Sequence, residues 1–206
     1  ETAVNTVKDE PLTLGGKTIK NWDGQYHGSM SISDALLNSW NIPAITTFQE
    51  VKKAAGSDAI IKDMESVGID MSDQDKELSD TYAIGGWKTG VSPVELAGAY
   101  ATIANNGNYI ESHTINYVEV VETNKTVKID EELQKNVTQS IGEDVSFMIR
   151  ETMLSYSSST TGSYSSLSGL DNVGAKTGTS NWDSTSPYVK AGKSRDLWMT
   201  AYTPDY

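Results

Sequence analysis

Ala35-Leu36-Leu37-Asn38-Ser39-Trp40-Asn41-Ile42-Pro43-Ala44 reads as the end of one helix, a short break and the start of another. Hydroxyls at Ser31 to Ser33 can cap the run Asp34-Ala35-Leu36-Leu37. Pro43 turns Ile42 away from helical backbone and then suits the first turn of a helix through Ala44, Ile45, Phe48 and Val51 toward Gly56. Ser39-Trp40-Asn41 is thereby expected on a short interhelical loop, where its side chains can point into a cleft.

Upstream, residues 1–30 have little periodicity and many turn formers, including Gly15-Gly16, Asn21, Asp23-Gly24 and Gly28. They read as an extended, irregular approach segment. Downstream, a helix over about 57–67 stops at Gly68, and the acidic, polar residues 70–81 read as a solvated loop. Ser92-Pro93-Val94-Glu95 is a capping box with proline at the first helical position. Leu96, Ala99, Tyr100 and Ile103 give that helix one apolar face, and Asn106-Gly107 supplies its stop.

From Thr114 the period becomes two. Ile115, Tyr117 and Val121, a turn at Asn124-Lys125, then Val127 and Ile129 predict a β-hairpin. A helix carrying Phe147, Ile149, Met153 and Leu154 follows, then a Ser/Thr/Tyr/Gly-rich stretch over 155–168 that reads as a flexible surface loop. Residues 172–179 and 195–203 read as strands. The expected fold is α+β, with a helical lobe over 31–110 and an α/β lobe with antiparallel sheet over 111–206.

The chain has 206 residues, a net charge of −12 and no cysteine. Its length and apolar content suffice for a real core. The acidic balance argues against a nucleic-acid surface, which needs a basic stripe. Without cysteine there are no disulfides, thiol nucleophiles or thiolate metal sites. His27 and His113 stand alone, so no metal is expected, and Gly85-Gly86 lacks the pattern of a dinucleotide loop. The carboxylate pairs Asp9-Glu10 and Glu131-Glu132 read as solvated faces, and the tryptophans as core, with Trp40 and Trp182 set apart because they border motifs. No run approaches the roughly 20 apolar residues that span a bilayer. Glu1 opens into polar sequence, and Pro204-Asp205-Tyr206 follows an apolar run. Both ends are expected to be cut from a longer protein.

The chemistry concentrates at Lys176-Thr177-Gly178-Thr179, on a predicted strand. Chance places a Lys-Thr-Gly tripeptide in roughly one chain in 20 of this length, and Ser-x-Asn far more often. Context therefore decides. A strand offers backbone groups that an extended peptide can pair with, and Gly178 leaves room for close approach. Thr177 and Thr179 bring hydroxyls, and Lys176 a positive charge suited to a terminal carboxylate. Ser39 could relay a proton, helped electrostatically by a nearby Lys176 ammonium, and Asn41 could hydrogen-bond a substrate amide.

Ser-x-Asn followed by Lys-Thr-Gly resembles two of the three landmarks of penicillin-recognising serine acyltransferases. Asn21-Trp22-Asp23-Gly24-Gln25-Tyr26-His27-Gly28, residues 35–44, Gly90-Val91-Ser92-Pro93-Val94-Glu95-Leu96-Ala97, Ala104-Asn105-Asn106-Gly107, Lys176 to Asn181 and Asp196-Leu197-Trp198 are similar, in order, to the transpeptidase domain of class A penicillin-binding proteins. The third landmark, Ser-x-x-Lys, is missing: no serine stands three positions before a lysine.

The resemblance implies a penicillin-binding, serine β-lactamase-like fold, incomplete at both ends. It implies a D,D-transpeptidase that cross-links peptidoglycan stem peptides by serine acyl transfer, with β-lactams as substrate mimics and no cofactor. Ser39, Asn41 and Lys176 carry over as catalytic helpers, and Trp40, Thr177, Gly178 and Thr179 as substrate contacts. The parent protein is expected to be membrane-anchored, extracytoplasmic and fitted with an upstream glycosyltransferase domain. The nucleophile helix and the closing strands are expected outside these residues, so the fragment alone should be inactive. A serine β-lactamase-like hydrolase and a non-catalytic binding module of the same fold remain the alternatives.

Overall fold

The computed structural model describes residues 5–74, 76–157, 167, 169–170, 172–182, 186–190 and 193–203. It opens with four short strands, β1 (Thr6–Asp9), β2 (Leu12–Leu14), β3 (Lys17–Ile19) and β4 (Gly28–Ser31). Residues 5–30 are therefore not the irregular segment expected. Leu14 and Lys17 pair across a two-residue loop. Both loop glycines have positive φ (54° and 79°), the backbone of a tight hairpin turn. β1 pairs with β4 across a long gap, Val7 opposite Met30. A pairing that distant leaves no mark on local periodicity.

Helix α1 (Ile32–Leu37) is capped by Ser31, whose hydroxyl accepts from the Asp34 N–H. Helices α2 (Asn41–Ala55) and α3 (Ser57–Ser66) follow. Ile42 is helical despite preceding proline, because it sits in the first turn, where few backbone bonds are at stake. A 3-10 helix (Asp80–Ile84) leads to α4 (Pro93–Ala104), which carries the full capping box between Ser92 and Glu95.

The main core joins Ile60, Val67, Ile69, Met71, Leu78, Tyr82 and Ala99. Met71, Gln74 and Leu78 are buried, so 70–81 is not the solvated loop its polarity predicted. Its few apolar side chains turn inward while acidic neighbours face water. Lys52 ties the segment to α2 through Asp80 and the Leu78 carbonyl.

Strand β5 (Asn108–Tyr109) pairs with β8 (Thr138–Gln139), and β6 (Tyr117–Val120) with β7 (Lys125–Lys128). The predicted hairpin is present, turning at Asn124 with φ 49°, although Ile129 opens helix α5 (Ile129–Leu133) instead of extending the strand. Gly107, at φ 83°, lets the chain pass the Ile141 carbonyl so closely that a Cβ would overlap it.

Helix α6 (Glu143–Ser157) runs into the stretch read as a surface loop; residues 158–166 and 168 lie outside the described residues. β9 (Gly174–Asn181) and β10 (Ser194–Tyr202) form an antiparallel pair flanking a short helix α7 (Pro187–Lys190). α6 packs on β9, while α4 lies against β10 and α6. Within this last pair, Tyr202 occupies the space a Cβ on Gly174 would need.

Candidate active site

Helix α1 ends in two overlapping backbone bonds: the Ser39 N–H donates to the Leu36 carbonyl and the Trp40 N–H to the Ala35 carbonyl, both at 3.0 Å. This closure requires left-handed backbone at the residue after the cap, normally glycine. Here it is Ser39, at φ 56°. A side chain in that region costs roughly 1–2 kcal/mol. The strain turns an exposed hydroxyl outward, directly ahead of α2.

Strand β9, which carries the second motif, runs from the interior toward solvent. Gly174 and Ala175 are buried, Lys176 and Thr177 half-buried, Gly178 and Thr179 exposed. Lys176 reaches back over the chain: its Nζ donates to Ser39 Oγ at 2.9 Å and to the Thr177 carbonyl at 2.7 Å. Burial holds the Lys176 ammonium down at about 8. The two sequence motifs, 137 residues apart, thus meet in one hydrogen bond.

The remaining expected site residues are placed differently from one another. Alternation along the strand sets Lys176 and Gly178 on one face and Thr177 and Thr179 on the other. A Cβ on Gly178 would meet nothing within 4 Å among the described residues, so there is room beside the backbone at that position. β10 covers one edge of β9, and among the described residues no strand pairs with the other. Asn41 donates its side-chain amide to the Lys20 carbonyl at 3.0 Å, leaving its Oδ1 without a partner among the described residues.

Trp40 is 9% exposed and stacks on His27 and Trp22, with ring centroids 4.0 and 5.4 Å apart. Trp40, the expected substrate contact, has its ring largely buried against those two side chains. The tryptophan facing solvent is Trp22, 72% exposed, against its expected place in the core. Asp9, read as part of a solvated pair, is fully buried. Glu131 and Glu132 do lie at the surface, bridged to Lys128 and Lys135.

Sequence reading also passed over a second Lys-Thr-Gly, Lys88-Thr89-Gly90. It lies in a loop before α4, where Thr89 Oγ1 accepts from the Gln74 side chain. The strand and the bond to Ser39 set the Lys176 copy apart. Among the described residues, no cluster of side chains could hold a metal ion.

The model of the penicillin binding protein transpeptidase domain matches residues 2–206. The chain is 34% identical over 97% of its length to penicillin-binding protein 1A/1B of Bacillus subtilis, covering 21% of that protein. It is 31% identical over 96% of its length to penicillin-binding protein 1F of the same organism, covering 25% of it. Among solved structures, the penicillin-binding protein PonA1 from Mycobacterium tuberculosis superposes with a TM-score of 0.79 at 23% identity, over 98% of this chain and 53% of that one. PonA1 has also been solved in complex with penicillin V, with a TM-score of 0.78. This chain therefore spans about a fifth to a quarter of those Bacillus relatives and belongs to the transpeptidase domain family of class A penicillin-binding proteins.

Proposed function

We propose that this chain supplies the Ser-x-Asn and Lys-Thr-Gly parts of a D,D-transpeptidase site that cross-links peptidoglycan stem peptides. Residues 31–110 and 111–206 would be the two lobes of that one domain. The observation that carries the reading is the 2.9 Å bond from Lys176 Nζ to Ser39 Oγ. Ser39 Oγ accepts from Lys176, so its own proton is free to be passed onward. A hydroxyl backed by an ammonium suits protonation of the amine that leaves when the acyl-enzyme forms.

Strand β9, which carries Lys-Thr-Gly, would take the extended peptide as an added strand. Thr177 and Thr179 would offer hydroxyls to its terminal carboxylate, and the side-chain oxygen of Asn41 would accept from a substrate amide. β-Lactams would lie along the same strand as mimics of the peptide. The acylating serine, with its lysine, would come from the parent protein outside these 206 residues. That parent would be membrane-anchored, act at the extracytoplasmic face and carry a glycosyltransferase domain. No helix among the described residues is long and apolar enough to cross a membrane.

Labelling the full-length parent with a fluorescent penicillin tests the reading. Stable covalent label, lost on Lys176→Met, supports it. A folded parent that takes no label sinks it.

A further inference from the structure

Residues 20–27 grip the Ser39 loop at every level. The Trp22 indole N–H donates to the Asn38 carbonyl at 3.1 Å, and the Trp22 and His27 rings stack on Trp40. The Lys20 carbonyl accepts from Asn41. Asn21, 5% exposed, lies at the centre. Its Oδ1 accepts from the Asn41 N–H at 2.9 Å and the Ile42 N–H at 3.4 Å. Its Nδ2 donates to Asp9 Oδ2 at 2.6 Å and to the Gln25 carbonyl at 2.9 Å. Two fixed donors and two fixed acceptors leave the carboxamide a single orientation.

Helix α2 needs this help, because its own cap residue, Trp40, makes no side-chain capping bond. The first orphan N–H groups of α2 are satisfied from a distant segment instead. Asp9 anchors the arrangement. Its Oδ2 also accepts from the His27 N–H at 2.9 Å, while Oδ1 is buried with no hydrogen-bond partner among the described residues.

We infer that Asn21, anchored by Asp9, is a positioning residue: it caps α2 in trans and thereby fixes Ser39 in its strained conformation against Lys176. The inference rests on the transpeptidase reading above. Asn21 touches neither Ser39 nor Lys176, and acts only by holding Asn41 and Ile42 where the left-handed Ser39 must end.

The test measures fluorescent-penicillin acylation in the full-length parent, normalised to the folded fraction, for wild type, Asn21→Asp, Asp9→Asn and the Asp9→Asn/Asn21→Asp exchange. Asn21→Asp keeps an acceptor for Asn41 but sets a second carboxylate against Asp9. Its maximal acylation rate should fall about tenfold, as expected for misplacement by a fraction of an ångström, with little change in half-saturating concentration. In the exchange variant the amide donates from position 9 to the carboxylate at position 21, and most of the rate should return. An exchange variant no faster than Asn21→Asp overturns the inference. So do single variants that melt earlier yet acylate at the wild-type rate. If wild type takes no label, the transpeptidase reading falls and this inference with it; a labelled wild type with indifferent variants sinks the inference alone.

Discussion

Residues 20–27 and the β6–β7 hairpin make opposite use of their side chains. The hairpin has the cleaner sequence signal, an alternating apolar pattern around an asparagine turn, yet Ile115, Tyr117, Val118 and Val121 remain exposed, Val121 at 83%. Segment 20–27 has no period, yet it carries a buried polar network tied to fully buried Asp9 and to the start of α2. Periodicity reports what the local backbone does. It does not report where a polar group is buried, and that is where single residues carry the largest penalties. Removing one partner of a buried hydrogen bond costs about 1–3 kcal/mol. Surface substitutions usually stay within about 0.5 kcal/mol.

The contrast can be pressed hardest at the group the network serves. Lys176→Met should lower the rate of penicillin acylation in the parent by about 100-fold or more, as loss of a charge stabiliser does. The same change should raise thermal stability below pH 8. Burial depresses the folded Lys176 from 10.5 to about 8, so between those values the unfolded chain binds more protons. Stability from this group therefore rises with pH across that window, and its burial penalty is fully present below it. Melting curves at pH 7 and pH 10 for wild type and Lys176→Met should differ in slope accordingly; parallel behaviour would mean the ammonium is solvated.

Asp9→Ala should destabilise the parent domain by about 1–3 kcal/mol in denaturant titration, by stranding the Asn21 donor and the His27 N–H. Ser39→Gly should separate backbone from chemistry. Relief of the left-handed strain stabilises by up to about 1 kcal/mol, offset in part by the freer unfolded chain, while acylation falls because the hydroxyl is gone. At the other extreme, Val121→Thr on the hairpin should move stability by less than about 0.5 kcal/mol and leave acylation unchanged. A large effect there would show that the exposed face of the hairpin is in use.

Local rules made the helices legible. The Ser92–Glu95 capping box, the stop at Asn106-Gly107 and the break at Ser39-Trp40-Asn41 each depend on residues adjacent in sequence. The Ser39–Lys176 meeting was legible only because two motifs were read together, since nothing local links them. The burial of Met71 and Leu78 was hidden by acidic neighbours, and that of Asp9 by a polar context. The four early strands escaped because they are three or four residues long. Gly15-Gly16 between Leu12-Thr13-Leu14 and Lys17-Thr18-Ile19 was nonetheless a usable hairpin signal.

The 137-residue span between Ser39 and Lys176 also bears on the order of assembly. Ser39 is synthesised well before its partner, which arrives only once β9 and β10 have paired and docked on α6 and α4. Closing so long a loop comes late, after local helices have formed. The Ser39–Lys176 contact is thus among the last features of these residues to mature, and, on the transpeptidase proposal, the onset of antibiotic labelling during refolding of the parent would come no earlier than that contact.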